Sequence, residues 1–142
     1  MKLTSIALLI GLACVLQTAG ATIKGTNDLG RPFVSGGASV EELNALNAER
    51  NRFALSVLTA AKGSGAYLAD VHVHITDAHS RPVLDTVMDG PLLLVDLPAG
   101  RYHVEADLNG KVKKDTVEFR PGARREAIFY FDTHDKVETA SR

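Results

Sequence analysis

Cysteine is almost missing from this chain: Cys14 is the only one in 142 residues, and it falls in the first apolar stretch. Everything after it can form no disulfide and supply no thiolate nucleophile, so the fold must be held by its apolar core alone. An excess of either charge is missing too, with 16 Lys and Arg against 17 Asp and Glu and a net charge of −1. That balance gives no reason to expect nucleic acid or an anionic membrane surface as a partner. No GxSxG elbow is present for a serine nucleophile, and Gly63-Ser64-Gly65 is too short a glycine loop to cradle a phosphate. Internal repeats and low-complexity segments are lacking, which excludes solenoids and arrays.

What the chain does have begins with "MKLTSIALLIGLACVLQTAGA". Lys2 supplies a positive start, Ile6 to Leu16 a short apolar stretch, and Ala19-Gly20-Ala21 a small-residue cleavage site. These are the three parts of a secretory signal, removed near Ala21. The apolar run is about half the roughly 20 residues that a spanning helix needs, so no membrane insertion is expected after cleavage. Lipidation at Cys14 within "GLAC" is the alternative, but Gly11 suits that cleavage box poorly and the apolar run continues through Val15 and Leu16. Cleavage leaves 121 residues, enough for one domain with a single core, in the periplasm or secreted.

Residues 22–38 are rich in Gly, Asn, Asp and Ser without a sustained period and read as an extended leader, docked at Phe33 and Val34. Ser39 stands three residues before Glu42, a capping box that opens a helix over 39–50. Val40, Leu43, Leu46, Asn47 and Arg50 fall at helical spacing, so its apolar stripe is narrow. Glu41 and Glu42 sit in the first turn, where the helix dipole favours acids, and need no catalytic role. From Phe53 onward alternation with a period of two takes over, broken by Gly and Pro turns about every ten residues. Asn109-Gly110 is the strongest hairpin signal, since both turn positions tolerate positive φ. "REAIFYFD", closing the domain, reads as a strand buried on both sides, and the tail from Thr133 is polar. The pattern predicts a mainly β protein: one domain over 39–132, an antiparallel sandwich of about seven strands with one short N-terminal amphipathic helix.

The clearest strand, "DVHVHITD", places His72 and His74 on the face opposite Val71, Val73 and Ile75. His103 and Glu105 share the outer face of another strand. Were those strands neighbours in register, three imidazoles and a carboxylate could converge on zinc or copper. Otherwise they are ordinary polar residues of a half-solvated sheet.

Ala69 to Phe119 also resembles the carboxypeptidase regulatory-like domain, a transthyretin (prealbumin) type β-sandwich, of the kind found in periplasmic bacterial proteins. The matching features are the alternation ending on Asp77, Thr86 with Asp89-Gly90, "LPAGRY" at Leu97 to Tyr102, and the Asn109-Gly110 hairpin. The resemblance covers about 50 residues, with "GPLLLV" where that family usually places an aromatic. It implies a sandwich that serves as a stabilising appendage, a stalk or a ligand-binding module. Some transthyretin-like proteins are hydrolases that depend on a C-terminal Tyr-Arg-Gly-Ser, whereas this chain ends in "ETASR".

Three readings follow. The leading one is a non-enzymatic envelope protein that binds a protein or a cell-envelope component. The second is a periplasmic metal-binding protein using His72, His74 and His103. The third, resting on fold analogy alone, is a small-molecule hydrolase. Exposed edge strands add the expectation of a homodimer formed by edge pairing.

Overall fold

The computed structural model describes residues 22–133. The expected signal segment with Cys14, and the tail beyond Thr133, lie outside the described residues.

The elements run β1 (Ile23–Thr26), β2 (Pro32–Gly36), α1 (Val40–Glu49), a 3-10 turn over Arg50–Arg52, β3 (Leu55–Ala61), β4 (His72–Asp77), β5 (Pro82–Val87), β6 (Leu92–Val95), β7 (Gly100–Leu108), β8 (Lys111–Phe119) and β9 (Arg125–Phe131). They form two sheets, one of five strands in the order β1-β2-β6-β3-β9 and one of four in the order β5-β4-β7-β8. Period-two alternation aims one face of each strand inward, and those faces share one core. Leu55, Val57, Leu93, Val95, Phe129 and Phe131 come from the first sheet, and Val73, Ile75, Val83, Tyr102, Val104 and Phe119 from the second.

Three expectations are corrected. The leader is not merely docked: β1 and β2 form a hairpin, and Phe33, Val34 and Ser35 pair with Val95, Leu94 and Leu93 of β6. Its weak periodicity has a physical cause. β1 is an exposed edge strand, and Gly25 sits against the Phe33 ring where a side chain would stand. The hairpin also brings the strand count to nine among the described residues, against about seven expected, and puts α1 after two strands instead of at the start.

The second correction is that the sheets are not wholly antiparallel. β3 and β9 run parallel, with Leu55 opposite Arg125 and Ala61 opposite Phe131. Such a pair needs a long crossover, which β4 to β8 supply, and no local pattern announces it. Third, β9 is not buried on both sides: Ala127, Phe129 and Phe131 face the core while Ile128 and Tyr130 face out. β9 is an edge strand beyond those that α1 packs on.

Helix α1 lies on the outer face of the five-stranded sheet, where Leu43 and Leu46 meet Val34, Leu92 and Leu94 in a second, smaller cluster. Ser39 Oγ accepts from the Glu42 amide at 3.2 Å. The Glu42 carboxylate does not return to the Ser39 amide; it accepts from the Ala38 amide at 3.2 Å and from the Thr22 hydroxyl, which ties the helix start to the first residues of the sheet.

The parallel pair decides which loops meet. Because β3 and β9 start together, the segment before β3 and the β8–β9 loop emerge at the same end. β6 ends there too, with Val95 opposite both Leu55 and Phe33, so the β6–β7 and β1–β2 loops join them. Four connections therefore crowd one end of the two-sheet core.

Candidate functional site

The outer face of the four-stranded sheet answers the question the histidines raise. β4 and β7 are neighbours, and across them His72 faces Asp107, His74 faces Glu105, and Thr76 faces His103. On the other side His74 faces Asp85 of β5. All lie on one face, since opposed residues of an antiparallel pair point the same way.

The structure brings His72 and His74 together around a single acid. His72 Nε2 is hydrogen-bonded to Asp85 Oδ1, and His74 Nδ1 lies 3.6 Å from Asp85 Oδ2, beyond hydrogen-bonding reach. His103 is not part of this group. It sits one step further along β7, and its Nδ1 is 3.1 Å from Thr116 Oγ1 on β8. Glu105 is approached by Lys114 Nζ at 3.9 Å. Among the described residues, no group of three or more His, Cys, Asp or Glu is placed to hold a metal ion. Of the expected set, His72 and His74 share Asp85, while His103 lines a hollow together with His74 and turns its Nδ1 to Thr116. Register sets this arrangement: His103 opposes Thr76 instead of His74, two residues along the strand, and Lys114 opposes Glu105.

The more developed concavity lies at the loop end, where sequence reasoning had placed nothing. It is an open cleft of about 510 Å³. The β1–β2 loop contributes Arg31, the segment before β3 contributes Asn51, Arg52 and Phe53, the β6–β7 loop contributes Asp96, Leu97 and Pro98, and the β8–β9 loop contributes Arg120 and Arg124. Four arginines thus meet one carboxylate. Arg31 Nη1 pairs with Asp96 Oδ2 at 3.2 Å, and Arg124 Nη1 donates to the Asn51 carbonyl at 3.3 Å. Arg52 and Arg120 are exposed and engage no partner among the described residues. A smaller neighbouring hollow shares Asn51, Phe53 and Arg124 and adds Arg50, Arg125 and Glu126. There Arg50 Nη2 lies 3.4 Å from Glu126 Oε2, while its Nε is buried without a partner.

The walls of the cleft are held from below. Asn27 is buried, donates from Nδ2 to the Asp96 carbonyl at 2.9 Å and accepts the Leu29 and Arg31 amides on Oδ1, which sets Arg31 beside Asp96. Tyr102 Oη donates to the Pro98 carbonyl at 2.8 Å and fixes the β6–β7 corner, and burial pushes its phenol above the ordinary range. The Arg125 amide donates to the Ala54 carbonyl at 2.8 Å, tying the two arginine-bearing segments together.

The signal that could have found this cleft is "ERNR" before Phe53 and "RPGARR" before the last strand. The first holds two arginines and the second three, all at or beside breaks between strands, where side chains leave the sheet for solvent.

Fold and site together define a class: a mainly β protein of two sheets around one core, with an arginine-lined cleft between its end loops. No protein-family model matches the chain, and no curated protein matches it at a significant level.

Proposed function

We propose that the chain is a non-enzymatic periplasmic or secreted β-sandwich protein of the prealbumin type, serving as a binding module of the bacterial cell envelope. The observation that carries this reading is the cleft: one two-sheet core presents four loops at one end, and four of the six polar side chains they contribute are arginines, hydrogen-bond donors fit for recognition. Arg52, Arg120 and Arg124 are permanently charged, so at neutral pH they serve neither as bases nor as nucleophiles. The signal-like first 21 residues and the carboxypeptidase-regulatory-like pattern of Ala69 to Phe119 support the compartment and the module type.

The test uses the full chain with a C-terminal tag, expressed in a Gram-negative host. Intact mass of the exported protein should correspond to cleavage near Ala21. The purified protein should be retained saturably by isolated envelope fractions and displaced by an untagged copy. Retention in the cytoplasm with an uncleaved leader, or failure to bind envelope fractions together with turnover of a small ester or amide, would overturn the reading.

A further inference from the structure

We infer that the cleft between the end loops binds an organic anion carrying at least two oxyanion groups, carboxylate or phosphate, on an apolar body. The inference rests on the binding-module reading above and adds to it the ligand chemistry. Charge comes first. The cleft gathers Arg31, Arg52, Arg120 and Arg124 against Asp96 alone, in a chain whose overall charge is −1. Asp96 is already engaged by Arg31, which leaves three guanidiniums from two separate loops without a carboxylate. Like charges grouped in this way repel one another, and an anion seated between them relieves that repulsion.

Geometry narrows the ligand further. Each guanidinium offers a planar fork of donors that matches a carboxylate or phosphate with two parallel hydrogen bonds. Arg124 spends one nitrogen on the Asn51 carbonyl, which orients the rest of its fork; Arg52 and Arg120 have every donor free among the described residues. Those two cations stand on different loops, before β3 and before β9, so a molecule with two oxyanion groups can engage one fork with each. The lining is mixed: beside the guanidiniums stand Phe53 and Pro98, with Leu97 and Phe119 largely buried beneath. A volume near 510 Å³ falls within the roughly 300–1,000 Å³ of organic ligand sites. Phe53 and Pro98 beside the guanidiniums offer a carbon skeleton a surface that a bare inorganic ion would not use.

Four probes test this on the full mature chain by calorimetry at low salt: benzene-1,3-dicarboxylate, benzoate, benzene-1,3-diyl bisphosphate and inorganic phosphate. The dicarboxylate or the bisphosphate should bind one-to-one, at least tenfold tighter than benzoate and inorganic phosphate, and more weakly as salt is raised. Whichever of the first two is tighter identifies the head group. Arg52→Gln and Arg120→Gln should each weaken binding about tenfold, and the double variant about a hundredfold or more, with thermal midpoints unchanged because both side chains are exposed. Lys62→Gln, at the opposite end of β3, should leave the affinity as it was. The inference falls if no probe binds saturably, if inorganic phosphate binds as tightly as the organic anions, or if the double variant binds like the parent. Envelope retention that persists in such a case leaves the binding-module reading standing and removes only the cleft. Anion binding as expected without envelope retention does the reverse.

Discussion

Tyr102→Phe removes one oxygen from the corner that shapes the cleft. The Tyr102 side chain is 4% exposed, its hydroxyl donates to the Pro98 carbonyl at 2.8 Å, and its ring lies 6.0 Å from Phe119, centroid to centroid, at 57°. The Phe variant keeps the ring contact and loses only the hydrogen bond, leaving the Pro98 carbonyl short of a partner. That should cost about 1–1.5 kcal/mol. In a domain of this size it lowers the thermal midpoint by roughly 4–6 °C, measured by far-UV circular dichroism and checked by urea unfolding with an unchanged slope. Tyr102→Ala also removes the ring from the core and should cost about 3–5 kcal/mol, which separates packing from hydrogen bonding. Burial raises the phenol pKa above its usual 10.0. Above pH 10 the unfolded chain therefore releases this proton before the folded one does, and the stability contributed by Tyr102 declines as pH rises through the folded value. The gap between parent and Tyr102→Phe should narrow over that range. A Phe variant within 0.3 kcal/mol of the parent at pH 7, an order-of-magnitude threshold for no effect, would show that the hydroxyl does not hold the corner.

The remaining predictions concern other parts of the fold. A Cβ at Gly90 would overlap the Gly36 carbonyl, a backbone atom unable to swing aside, so Gly90→Ala should cost about 3 kcal/mol or more in urea unfolding; Gly122→Ala, with φ +76° but open space around it, should cost only about 1 kcal/mol. Ser39→Ala takes the acceptor from the Glu42 amide and should lower stability by about 1 kcal/mol, with the loss read in the same assay. Asp77 Oδ1 accepts from the Arg81 and His79 amides, bonds that hold its carboxyl below the usual 3.8; that stability is present above the unfolded pKa and lost as pH falls through the folded one, so acid unfolding of Asp77→Asn should be shallower than the parent's below pH 5. Zinc titration should give no stoichiometric high-affinity isotherm, because His103 is turned to Thr116; a one-to-one isotherm lost in His72→Ala with His74→Ala would refute this reading of the face.

Legibility in the sequence followed the range of each signal. Strands β4, β7 and β8 were readable because their alternation is local and each is bounded by turn chemistry, Asn109 and Gly110 adopting the positive φ of 51° and 89° that the hairpin requires. The β1–β2 hairpin was not readable. Its edge strand is exposed, and its pairing partner β6 lies about sixty residues away in sequence. Nor could the histidine face be resolved: alternation tells which face His72, His74 and His103 share, but a two-residue offset in pairing register decides what each touches.

The arginine cleft depends on the same non-local information. "ERNR" and "RPGARR" stand about seventy residues apart, and each alone is an ordinary solvated turn. Antiparallel pairing of β3 with β9 would put the start of one beside the end of the other and carry the two arginine groups to opposite ends of the core. Parallel pairing sets Leu55 beside Arg125 and makes the groups neighbours. The cationic end is thus a consequence of strand direction, which the residues of neither strand encode by themselves. It follows that the charge pattern and the parallel pair test each other. Should the paired substitutions at Arg52 and Arg120 act additively on anion binding, the two loops contribute independent contacts; a coupling above about 0.5 kcal/mol would mean that one ligand bridges them, which only the parallel arrangement permits.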